Sequence, residues 1–133
     1  PAYAADRVSE LLGGLAGKRV LILGLTFRPN VAVTPHTNAV DLLREFTARG
    51  ATVRGHDALL SEAGVRPLGF EPADEPLEGY DVAVVHAYHD AYRGFDWRRI
   101  APLLLDARNA LERAAVEAVG VRYMGIGRPI SAD

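Results

Sequence analysis

Between Lys18 and Asp41 the chain reads KRVLILGLTFRPNVAVTPHTNAVD, and this stretch limits the possible fold more than any other. Arg19 to Leu23 is a short, unbroken apolar run, which predicts a strand covered on both faces, as parallel sheets require. Gly24 ends it, and a loop carrying Phe27 and Arg28 follows. From Thr37 onward Ala39, Val40, Leu42, Leu43 and Phe46 form one apolar helical face, with Thr37 or Asn38 to cap its start and Gly50 to stop it. Strand, glycine and helix N-terminus in that order build an anion site in open α/β sheets, because the free N–H groups face the loop. The loop is therefore expected to hold the phosphates of a nucleotide.

The remaining chain repeats this alternation. Tyr3 to Leu15 reads as an amphipathic helix through Val8, Leu11, Leu12 and Leu15, either packed on the sheet or ending a longer helix. Thr52 to His56 predicts a second strand, closing a β-loop-α-β unit with a right-handed crossover. Val65 to Phe70 reads as a short edge strand, since Pro67 is unsuited to a central one. Asp81 to Val85 is a further buried strand, His89 to Tyr92 the start of a short helix and Trp97 to Ile100 a helical turn. Leu103 to Leu105 (strand), Leu111 to Val119 (helix), Val121 to Met124 (strand) and a tail from Gly125 to Asp133 complete the order. The expected fold is α/β: a doubly wound, Rossmann-like, mostly parallel sheet of about five or six strands in three α/β/α layers. Residues 1–16 form the N-terminal helix and residues 17–133 the α/β domain.

At 133 residues and 49% hydrophobic, the chain suits one domain with a real core. A formal charge of −2 offers no general attraction to nucleic acid or to membrane phosphates, so neither is expected as a partner and any anion site is local. No apolar run is long enough to span a bilayer and no signal pattern opens the chain, so a cytoplasmic location is expected. A start at Pro1 without methionine predicts a piece of something longer. With no cysteine, the chain has no thiolate nucleophile and no disulfide.

Ligands of such sheets bind beyond the carboxyl ends of the strands. Those ends carry Gly24 to Arg28, His56 and Asp57, His86 to Asp90, and Asp106 to Asn109. The sequence after Gly24 is not GxGxxG, so a complete NAD site within this chain is not expected. Arg28 and Arg108 each follow a strand, and two guanidinium groups converging on one crevice suit a pyrophosphate. His56, Asp57, His86, His89 and Asp90 lack the one-face spacing of a metal motif, and no metal is expected. Asp57 as a phosphoacceptor is disfavoured by the lack of an acidic pair after the first strand and of a late lysine.

Several of these segments taken together resemble the C-terminal domain of the UDP-glucose/GDP-mannose dehydrogenases. KRVLILGLTFRPN is similar to that domain's opening strand and GLAFK motif. RGHD at Arg54 to Asp57, the segment Asp81 to Trp97, LLDARN at Leu104 to Asn109 and YMGIGR at Tyr123 to Arg128 match further motifs in order. Pro1-Ala2-Tyr3 looks like the start of the helix preceding the domain, and His89 in place of tryptophan resembles the branch oxidising UDP-N-acetylhexosamines.

The resemblance implies a three-part enzyme of polysaccharide biosynthesis. An N-terminal Rossmann domain binds NAD, a central helical region carries the catalytic cysteine and forms a homodimer, and the C-terminal domain closes over the UDP half of a UDP-sugar. The full enzyme oxidises the sugar C6 alcohol to the acid through a thiohemiacetal and a thioester. This chain resembles the third part and, lacking cysteine, is not expected to turn over alone. By position, Phe27 and Arg28 would meet the UDP-sugar and Arg108 would be the second cationic contact, with Gly24, Thr26, Asp106 and Asn109 in support. The motif's lysine is arginine at position 28. The family's acidic pair and arginine are Ala32, Val33 and Pro35 here, Thr37 and Asn38 replace its serine and proline, and Ala58 its proline after Asp57. Those departures bring the loop's usual hydrogen bonds into question. They also leave room for a stand-alone nucleotide-binding module without redox activity, or for a domain kept for packing or dimerisation.

Overall fold

The computed structural model describes residues 1–34 and 37–126. Six strands form one sheet: β1 (Arg19–Leu23), β2 (Thr52–His56), β3 (Glu71–Pro72), β4 (Val82–Val85), β5 (Leu103–Asp106) and β6 (Arg122–Gly125). Every pairing is parallel and the spatial order is β3-β2-β1-β4-β5-β6. The chain builds outward from β1 in one direction, then returns to pair β4 on the other side of β1. That reversal creates a switch point between β1 and β4, where open α/β sheets leave a crevice. Five helices accompany the strands: α1 (Ala2–Leu12), α2 (Ala39–Ala48), α3 (Glu62–Val65), α4 (Trp97–Ile100) and α5 (Arg113–Ala118).

The unbroken apolar strands are explained by burial on both faces. Val20, Ile22, Val82, Val84, Leu103 and Leu105 point to one side, where they meet Val8 of α1 and Leu42 and Phe46 of α2. Leu21, Leu23, Ala83, Val85 and Leu104 point to the other, against Tyr92, Trp97, Ile100 and Val116. The N-terminal helix packs on this domain's sheet, with Ala4, Ala5 and Val8 buried, and Asp6 pairs with Arg49 at the end of α2 at 2.9 Å.

Two segments differ from expectation. Residues 65–70 are not the edge strand. Pro67 sits at the start of a 3₁₀ turn (Arg66–Leu68), and Gly69 turns the chain at φ 98°, so pairing with β2 begins only at Glu71. The helix expected over 111–119 is shorter, α5 covering Arg113–Ala118, because the preceding residues form a turn on Asp106. Of the two residues expected to cap α2, Thr37 serves, its hydroxyl accepting from the Ala39 N–H at 3.3 Å, while the Asn38 side chain makes no cap bond. Pro35 and most of the expected tail, including Gly127 and Arg128 of the YMGIGR run, lie outside the described residues.

Candidate functional site

The site is assembled where β1, β2, β4 and β5 end. Gly24 leaves β1 at φ 81°, and a Cβ there would collide with the Ala87 carbonyl, so only glycine lets the two chain segments pass at the switch point. Its N–H donates to the His56 carbonyl at 2.9 Å. The loop then depends on Asp57, whose buried Oδ2 accepts from the Leu25 N–H (2.6 Å) and the Thr26 N–H (3.2 Å). Thr26, fully buried, donates its hydroxyl proton to the Arg28 carbonyl at 2.9 Å.

Beyond Thr26 the chain makes a small hairpin. The Phe27 N–H donates to the Val33 carbonyl at 2.6 Å, Arg28 bridges Val31 in antiparallel fashion, and Asn30 takes the turn at φ 63°. The Phe27 ring is 44% exposed, and the Arg28 guanidinium lies 5.6 Å from its centroid. Among the described residues Arg28 forms no ion pair. A cation stacked on an exposed ring, with its charge unspent, is suited to an anion carrying a flat base.

Asp106 organises the second loop as Asp57 organises the first. Its buried carboxylate accepts from the N–H groups of Arg108 (3.2 Å), Ala110 (3.0 Å) and Leu111 (2.8 Å) and from the Tyr123 hydroxyl (2.8 Å). Asn109 follows in a left-handed turn at φ 53°, its side-chain amide donating to the Ile126 carbonyl at 2.9 Å. Arg108 Nε donates to the His86 carbonyl at 2.8 Å, which fixes the guanidinium at the end of β4.

His86 joins the two loops across the switch point. Its Nδ1 lies 2.8 Å from the Gly24 carbonyl, which can only accept, so Nδ1 carries the proton and Nε2 is left facing Arg108 at 3.4 Å. Burial first, and the neighbouring Arg108 charge as well, hold the His86 pKa below its ordinary value. His56 is held low mainly by burial, against the pull of Glu75 at 3.2 Å. The Tyr92 hydroxyl is pushed up by burial and by Asp57.

The expected residues thus occupy one edge of the sheet. Gly24, Thr26, Asp106 and Asn109 shape the loops, while Phe27, Arg28 and Arg108 are exposed on them. The loops of Arg28 and Arg108 leave β1 and β5, which flank β4, so the strand axes beneath them are about 10 Å apart. A cavity of about 200 Å³ opens beside Arg108 and His86, lined also by Pro1 and Ala4, by Asn38 just before α2, by Leu42 of α2 and by Ile126. His86, which joins the two loops, is a side chain whose role the sequence left unassigned.

The first loop departs from the usual dinucleotide-binding turn in two respects. Helix α2 begins at Ala39, 15 residues along the chain from Gly24, and Asp57, which would otherwise face a ribose, is turned inward onto backbone N–H groups. No three His, Asp or Glu side chains converge as metal ligands among the described residues.

Comparison with known proteins identifies the family and the fold. Residues 21–113 match the model of the UDP-glucose/GDP-mannose dehydrogenase family, UDP binding domain. A UDP-glucose 6-dehydrogenase of Rhizobium meliloti is 30% identical over 88% of the chain and 29% of its own length. A UDP-N-acetyl-D-mannosamine dehydrogenase of Methanocaldococcus jannaschii is 27% identical over 96% of the chain and 31% of its own. The structure of a UDP-glucose dehydrogenase from Pyrobaculum islandicum superposes on 96% of the chain with a TM-score of 0.78 at 28% identity, using 29% of that protein. The chain therefore spans about a third of the length of these relatives. By motif, topology and the extent of these matches, the chain belongs to the UDP-glucose/GDP-mannose dehydrogenase family, as its UDP binding domain.

Proposed function

We propose that this chain supplies the nucleotide half of the UDP-sugar pocket in an NAD-dependent nucleotide-sugar 6-dehydrogenase. The observation that carries this reading is the pair of guanidinium groups, Arg28 and Arg108, that form no ion pair among the described residues and sit on the loops following β1 and β5, either side of β4. Phe27 offers a face to the base, and the arginines take the diphosphate oxygens. Gly24 and Thr26 shape one loop, Asp106 and Asn109 the other. Helix α1 (Ala2–Leu12) is the end of the helix that leads from the central region, residues 13–16 connect it to the sheet, and residues 17–133 are the UDP-binding unit.

NAD belongs to another part of the longer enzyme, as does the cysteine that the oxidation requires, since this chain contains none. The full enzyme is a cytoplasmic homodimer acting in polysaccharide biosynthesis. This chain's contribution is binding and orientation: fixing the diphosphate leaves the sugar C6 facing the residues of the other domains.

Calorimetric titration of the chain with UDP tests the reading. Weak binding is expected, because much of the pocket lies elsewhere. Arg28→Ala and Arg108→Ala should each reduce affinity about tenfold or more, as expected for a lost hydrogen bond to a charged group. Equal affinity in the wild type and in both variants would refute it.

A further inference from the structure

The hairpin that carries Phe27 and Arg28 is held by its backbone at both of its bends. Asp57 grips the first bend through Leu25 and Thr26. The second bend is gripped by His89, which lies after β4 and is fully buried. The Asn30 N–H donates to His89 Nδ1 at 2.9 Å, so Nδ1 carries the lone pair and Nε2 the proton. That proton points to Asp57 Oδ2 at 2.9 Å, with the Thr26 hydroxyl at 3.3 Å. The neighbouring backbone closes the arrangement, the Asp90 N–H donating to Asn30 Oδ1 at 2.8 Å.

We propose that His89, oriented by the buried Asp57 carboxylate, is a positioning residue for the nucleotide loop, bracing the Asn30 turn so that Phe27 and Arg28 are presented to the ligand. This rests on the reading above that the loop holds UDP. Asp57 cannot do the work alone, because its oxygens reach the start of the loop and not Asn30. His89 spans the gap because an imidazole carries a donor and an acceptor on opposite sides of one rigid ring. Asn30 is in a left-handed conformation and its N–H is directed at His89, so loss of that acceptor leaves the N–H unpaired and the turn held only by the Arg28–Val31 bridge, the Phe27–Val33 bond and the Asn30 side chain.

The test compares wild type, His89→Leu and His89→Asn by amide hydrogen exchange and by UDP titration. Leucine keeps much of the volume and supplies no acceptor. Asparagine places an oxygen near the former Nδ1 and restores one. His89→Leu is expected to lose protection at the Asn30 amide and about tenfold in UDP affinity while the amides of β1, β4 and β5 stay protected, with His89→Asn recovering most of both. Unchanged Asn30 protection in His89→Leu overturns the proposal, and so does a loosened turn with undiminished affinity. Should His89→Leu fail to fold, the long-range ¹H–¹⁵N spectrum of wild-type His89 decides: protonation at Nε2 supports the brace and protonation at Nδ1 overturns it. Failure of the wild type to bind UDP would refute the assignment of the ligand instead, leaving the brace to be decided by the Asn30 amide.

Discussion

One methyl group is enough to test the switch point. Gly24→Ala would drive a Cβ onto the Ala87 carbonyl and force a side chain into a left-handed conformation. The expected loss is about 3 kcal/mol or more of unfolding free energy, read from denaturant melts. His86 provides a second test at the same scale. In the fold it stays neutral to lower pH than in the unfolded chain, so the unfolded state takes up the proton first. Its contribution is fully present above about pH 6.5 and is lost as pH falls through the lower folded value. The unfolding midpoint of wild type should therefore fall more steeply below pH 6.5 than that of His86→Gln. The difference between the two proteins isolates this residue from His56, which is shifted in the same direction. Parallel curves would show that His86 is not protonated between the folded and unfolded states as described.

Among the elements, the turn after β5 depends on one carboxylate with four donors. Asp106→Ala should cost about 3–5 kcal/mol, because several buried donors lose their acceptor together. Phe46→Ala in α2 should cost a similar amount, since its fully buried ring fills the layer beneath α1. Both are checked by chemical denaturation. The sequence made the strands legible wherever apolar runs were unbroken, as in Arg19 to Leu23, because burial on both faces leaves no alternative pattern. It misplaced the edge strand because residues 65–70 are apolar enough for a strand, while the turn at Pro67 and Gly69 is decided by backbone geometry. The candidate arginines were legible from their positions after strands. The work of Asp57 and His89 was not, since their contact joins positions 32 residues apart and depends on which ring nitrogen carries the proton.

At the scale of the molecule, the sheet order places β1 and β4 at the centre and the two-residue β3 at an edge. Amides of β1 and β4 should exchange slowest, near the global unfolding free energy, and those of β3 fastest among the strands. Comparable rates across the sheet would contradict the packing described. The two strand-end aspartates have one more consequence. Although the chain as a whole carries an excess of negative charge, Asp57 and Asp106 turn theirs inward onto N–H and O–H groups, while two guanidinium groups remain at the rim above them. An incoming polyanion therefore meets a locally attractive field on a globally repulsive particle, and added salt should screen these opposing influences over different distances.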